Sequence, residues 1–159
     1  MLTHTHIAGA AALCAGAALL TGAPKSEALP ILLVGAGMVG FLLRSRTRRW
    51  SILSAALHVA GGHRGPTHSL LCLAVAMGSG WFCREVVAWW ALPLGVLSHL
   101  ALDTLTWGGV PWLWPWKKHF RVRWALHTGS WVENAVAFPL LLITVAAEGL
   151  ALLPGGGGH

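Results

Sequence analysis

His99 and Asp103 lie four residues apart inside an apolar run that reads VLSHLALDTLTWGGVPWLWPW from Val96 to Trp116. On an α-helix that spacing puts both side chains on one face, about a turn apart. An imidazole and a carboxylate among Leu94, Val96, Leu97, Leu100 and Leu102 are costly to bury without partners, so the default reading of such a pair is functional. The candidate partners are few. His4 and His6 precede the first apolar run, His63, Arg64 and His68 precede a later one, and Glu133 opens the last. Imidazoles and carboxylates gathered in a partly dry site are the donor set of Zn²⁺ or another divalent ion. A metal bound there would acidify a coordinated water and yield a nucleophile near neutral pH.

Each of these residues also has a plainer reading. His4 and His6 fit an unstructured N-terminal segment. His63 and His68 are five apart and cannot share a face of one ideal helix, which places His63 in the turn before, with Arg64 as a contact for phosphate or a headgroup. His99 and Asp103 alone would make a hydrogen-bonded brace, and Glu133 is an acid of the kind that a helix N-terminus favours. What distinguishes the set is its shared location once the helices are laid out.

The elements that must carry these residues are apolar blocks. The 159 residues are 55 % hydrophobic and 10 % charged, with a mean hydropathy of +0.64; soluble domains carry about a quarter charged residues. Blocks run from Ile7 to Leu20, Leu29 to Leu43, Ser69 to Phe82, Val86 to Thr106 with Pro93 as a kink, and Ala135 to Leu153. Ser51 to Ala60 reads as a short amphipathic surface helix, and Trp107 to Trp131 as a Trp-rich basic loop. The fold class expected is all-α, an integral membrane bundle of about five apolar helices. It forms a single domain over residues 1–153, followed by a flexible glycine-rich tail, 154–159. The absence of Lys or Arg before the first block argues against a cleaved signal peptide. Cys14, Cys72 and Cys83 fall inside apolar blocks without ligand spacing and read as small core residues.

The net charge of +6 does not point to nucleic acid, because the basic residues sit between the apolar blocks, as membrane topology produces. If all five blocks cross, nine of the eleven Lys and Arg residues share one side, leaving only Lys25 and Arg84 opposite. The positive-inside rule makes that side cytoplasmic. His4, His6, His63, His68, His99, Asp103 and Glu133 all fall at helix ends on the same side, at one depth.

Two stretches resemble a known family. Gly62-His63-Arg64-Gly65-Pro66-Thr67-His68-Ser69-Leu70-Leu71 resembles the GHRGxTHSLL signature of the YdjM-like inner-membrane metal-dependent hydrolases. Leu97-Ser98-His99-Leu100-Ala101-Leu102-Asp103, then Leu105-Thr106, Gly109-Val110-Pro111 and Leu113-Trp114-Pro115, resembles its second signature, LSHLxxDxLTxxGVPLLWP. His6 stands where the family has its early histidine, and Glu133 near a downstream acid. The resemblance implies a relation to zinc-dependent phospholipase C and the P1-type nucleases, hence phosphoester hydrolysis. One departure stands out: the family's Pro-Asp-x-Asp motif at the end of the second helix is missing, since Gly37 to Ser45 contains no acid.

The resulting expectation is a multi-pass protein of the bacterial inner membrane. It carries a divalent metal, zinc by preference, on His68, His99 and Asp103, with His6 and Glu133 as further ligands. Arg64 steadies an anionic group and His63 serves as ligand or general base. Its partners are the bilayer and a phospholipid or phosphoester substrate hydrolysed at the cytoplasmic face. Two alternatives compete: a catalytically impaired relative with a structural, lipid-binding or partner-binding role, motivated by the missing acids, and an ion or proton conduit lined by His99, Asp103 and Glu133.

Overall fold

The computed structural model describes residues 2–44, 66–116 and 118–152. Five α-helices make up most of it: α1 (Thr3–Thr21), α2 (Lys25–Arg44), α3 (Leu70–Phe82), α4 (Ala91–Thr104) and α5 (Phe138–Leu152). A short 3₁₀ turn, Pro66–His68, precedes α3, and a single π turn, Glu133–Ala137, leads into α5. No strand occurs among the described residues; two isolated bridges, Thr106 with Leu126 and Val110 with Phe120, fold the 107–131 loop back on itself.

α1 is the centre of the bundle, packed against α2, α4 and α5, while α2 and α3 also pack on α4. Its composition explains that position: Ala8, Ala10, Ala12, Cys14, Ala15 and Ala18 are all buried, and small side chains let neighbouring backbones come close. α2 and α4 also approach closely: a Cβ placed on Gly95 would come 2.6 Å from the Gly35 carbonyl oxygen. A second apolar cluster of Ala76, Val96, Leu100 and Val110, with Met38, Cys72, Leu73 and Trp112 around it, joins α2, α3, α4 and the loop. That cluster supports the turn of α4 that carries His99.

Several expected boundaries move. α2 starts at Lys25 rather than Leu29, because Gly22 takes a left-handed conformation (φ 64°) and closes α1 at once. Ala23 N–H donates to Ala18 O at 3.0 Å and Gly22 N–H to Leu19 O at 3.3 Å, a Schellman arrangement. The polar residues that follow therefore form the first turn of α2, where Glu27 suits the helix N-terminus. The block expected from Val86 to Thr106 is helical only from Ala91 to Thr104. Pro93 thus lies in the first turn, where its missing N–H breaks no helix hydrogen bond, and is not a mid-helix kink. The Ser51 to Ala60 segment and the glycine-rich tail lie outside the described residues.

Thr3–Thr21 and Glu133–Ala151 are long and apolar enough to cross a membrane; Ser26–Gly40 and Leu70–Phe82 are shorter apolar helices. Among the described residues, two helices are thus long and apolar enough to cross, fewer than the five crossings that the orientation assumes.

Candidate metal centre

Three elements bring the polar residues together. His6 stands in the first turn of α1, His68 ends the 3₁₀ turn, and His99 and Asp103 sit a turn apart on α4. All four are buried, His6 and His99 at 1 % exposure and Asp103 at 6 %. Local hydrogen bonds hold each carrier. Thr106 Oγ1 donates to the Asp103 carbonyl at 2.8 Å and ends α4 just past the carboxylate. Ser69 Oγ donates to Pro66 O at 2.7 Å and fixes the turn bearing His68. Leu70 N–H, at the open end of α3, donates to Trp112 O at 2.9 Å, so the loop after α4 closes over the start of α3.

The donor atoms face one another. His68 Nε2 lies 3.1 Å from His99 Nε2 and 3.5 Å from Asp103 Oδ2, and His99 Nε2 is 3.9 Å from the same oxygen. In a tetrahedral shell with ligands about 2.0–2.1 Å from the ion, donor atoms are separated by roughly 3.3 Å. The triangle of His68, His99 and Asp103 has edges of that size. His6 meets the other side of the carboxylate, its Nε2 3.2 Å from Asp103 Oδ1, while its Nδ1 lies 3.2 Å from His99 Nδ1. One ligand atom each from His6, His99 and Asp103 all lie within 4.8 Å of one another, a group that could hold a metal ion.

The same contacts also close as hydrogen bonds between neutral imidazoles under one set of tautomers. His6 Nε2–H donates to Asp103 Oδ1, and His99 Nδ1–H donates to His6 Nδ1. His68 Nε2–H is shared between Asp103 Oδ2 and His99 Nε2, and His68 Nδ1 accepts from Thr67 Oγ1 at 3.1 Å. The cluster is thus satisfied without a metal, and the donors keep their places for one. Sequence alone does not single out Thr67 as a site residue, although it is a fixed position of the GHRGxTHSLL signature.

Glu133 is fully buried, but its carboxylate is occupied by backbone amides: Gly129 N–H donates to Oε2 at 2.8 Å and Leu2 N–H to Oε1 at 2.5 Å. It is not in the His6–His99–Asp103 group. His4 packs edge-on against Phe138, ring centroids 4.4 Å apart. His63 and Arg64 lie outside the described residues. On the loop, Arg121 stacks on the Trp107 ring at 4.8 Å and donates to Trp107 O at 3.3 Å.

An apolar helical bundle with three imidazoles and a carboxylate converging at one end defines a class of membrane-associated protein with a candidate metal centre. The chain belongs to the YdjM inner membrane protein family, whose model matches residues 1–154. It is 35 % identical over 138 residues to inner membrane protein YbcI of Escherichia coli, covering 78 % of this chain and 72 % of that one. To YvsG of Bacillus subtilis it is 32 % identical over 150 residues, covering 89 % and 91 %. To inner membrane protein YdjM of Escherichia coli it is 39 % identical over 107 residues, covering 62 % of this chain and 54 % of YdjM. No solved structure matches.

Proposed function

We propose that this protein is a metal-dependent hydrolase of the bacterial inner membrane, acting on a phosphoester or lipid headgroup at the cytoplasmic face. The observation that carries the reading is the buried triangle of His68, His99 and Asp103, with edges of 3.1, 3.5 and 3.9 Å. Two imidazole nitrogens and one carboxylate oxygen, with His6 behind them, suit zinc better than calcium or magnesium, which take oxygen ligands. A divalent ion in that position supplies Lewis acidity and acidifies water.

The protein's own part is positional. α4 fixes the spacing of His99 and Asp103, the 3₁₀ turn delivers His68, and α1 delivers His6. Arg64 and His63 come four and five residues before His68 in the chain. On this reading Arg64 is the guanidinium for an anionic substrate group and His63 a further imidazole to ligate or take a proton, roles argued from sequence alone. The charge distribution supports the cytoplasmic face: Arg64, Lys118, Arg121 and Arg123 all lie in segments adjoining the site residues.

A second reading has its own support. Gly37 to Ser45 lacks the acids of the family pattern, and Asp103 supplies the sole carboxylate of the described cluster. A site with one carboxylate holds fewer cations than one with three, which favours a relative that binds metal without hydrolysing anything. Hydrolysis of bis(p-nitrophenyl) phosphate by zinc-loaded protein separates the two. The hydrolase reading expects turnover that falls about tenfold or more in Asp103→Asn. A zinc-loaded wild type that is inert, yet gains activity with Gly40→Asp and Leu42→Asp together, would establish the second reading.

A further inference from the structure

Glu133 looks like a ligand from its type and place in the chain, yet its carboxylate does other work. Ser130-Trp131-Val132-Glu133 has the S-x-x-E pattern of a capping box. Half of that pattern is present: Glu133 N–H donates to Ser130 Oγ at 3.4 Å. In the usual box the acid returns to the backbone N–H of the capping serine. Here one oxygen takes the N–H of Gly129 instead, and the other leaves the segment altogether to take the N–H of Leu2, 131 positions away in sequence.

That second contact reaches the metal centre through a single turn of helix. Leu2 is the residue before α1, and its carbonyl accepts the N–H of His6 at 3.2 Å, the bond that opens the helix. Glu133 therefore grips one side of a peptide segment whose other side sets the position of His6. His6 in turn holds Asp103 Oδ1 and His99 Nδ1. Nearby, the edge contact between His4 and Phe138 joins the same two elements. A carboxylate with zero exposure and two amide donors is well satisfied where it is.

We infer that Glu133 is a positioning residue: it pins the start of α1 to the start of the last helix and so presents His6 to the cluster, without binding the metal itself. This rests on the metal-binding reading above. It accounts for an acid at the correct end of the bundle that stays out of the group of ligand atoms.

The test is a double-mutant cycle on the purified full chain, read as zinc affinity by chelator competition. Glu133→Gln, which keeps the shape, and Glu133→Asp, which keeps the charge but shortens the reach, are each combined with His6→Ala. Outer-shell partners of metal ligands change affinity by about 10–100-fold, so each Glu133 variant alone is expected to weaken zinc binding roughly tenfold. In the His6→Ala background neither should weaken it further, because the residue it acts through is gone. An equal loss in both backgrounds would overturn the inference and mark Glu133 as a ligand in its own right. A zinc-free wild type would instead defeat the metal reading, a separate failure.

Amide hydrogen exchange on metal-free protein gives an independent readout. Glu133→Gln should speed exchange at the start of α1, while the middle of α4 keeps its protection. Unchanged protection there would contradict the inference even if affinity falls. Loss of protection throughout α1, α4 and α5 would also overturn it, since the residue would then be holding the fold rather than His6.

Discussion

Asp103 turns its two carboxylate oxygens in different directions, one toward His6 and the other toward His68 and His99. It is the only anion among four polar side chains, so its removal has a defined consequence in each state of the site. With metal, Asp103→Asn replaces an anionic donor by a neutral one, and zinc affinity is expected to drop by more than the roughly 10–100-fold that losing an outer-shell partner costs, measured by chelator competition. Without metal, the carboxamide can accept through one oxygen only, and an imidazole N–H loses its partner at a cost of about 1–3 kcal/mol. The Asp103→Asn apoprotein should therefore also melt earlier. Thr67 gives a finer probe. Its hydroxyl orients His68 through Nδ1 at 3.1 Å, so Thr67→Val should weaken zinc binding roughly tenfold while Thr67→Ser preserves it. Equal affinity in both variants would show that the ring needs no such orientation.

Among the elements, α4 matters most, because it carries two of the four polar residues and crosses α2 with backbone almost in contact. Gly95 faces the Gly35 carbonyl, and an added Cβ would sit 2.6 Å from that oxygen. Gly95→Ala forces the two helices apart and is expected to destabilise the fold by about 1–3 kcal/mol, seen as an earlier thermal transition. A variant as stable as wild type would mean that the two helices can separate at the crossing without cost. The i, i+4 spacing of His99 and Asp103 was legible in the sequence because a helix fixes it. The meeting of His6 with them was legible through hydrophobic block order, the placement of charge and the family's early histidine, none of which fixes a distance. The start of α4 was not legible: Val86 to Trp90 are as apolar as the helix they precede, and hydropathy reports burial rather than backbone shape. What sets the boundary is tertiary, with the Trp89 carbonyl folded back against Gly80. The role of Glu133 was hidden for a similar reason, since its partner Leu2 is 131 positions away. The S-x-x-E pattern at Ser130 was the available local signal.

For the whole molecule, the exposed side chains match the family's inner-membrane character. Leu140, Leu142, Ile143 and Leu150 are all well exposed along α5, a surface that suits lipid tails rather than water. The protein is expected to stay in the membrane fraction after carbonate extraction, with Thr3–Thr21 and Glu133–Ala151 as the segments long enough to anchor it. Release into the supernatant would contradict membrane integration. At the opposite extreme of polarity, the cluster at the bundle end is buried and nitrogen-rich, beside the loop after α4 whose Trp112 carbonyl accepts from Leu70 N–H. Whether that cluster holds a metal is the central question. Elemental analysis of protein purified without added metal or chelator decides it. The prediction is zinc bound to the wild-type chain and lost from a variant carrying both His99→Ala and Asp103→Asn; a metal-free wild type, or equal zinc in the two proteins, would contradict it.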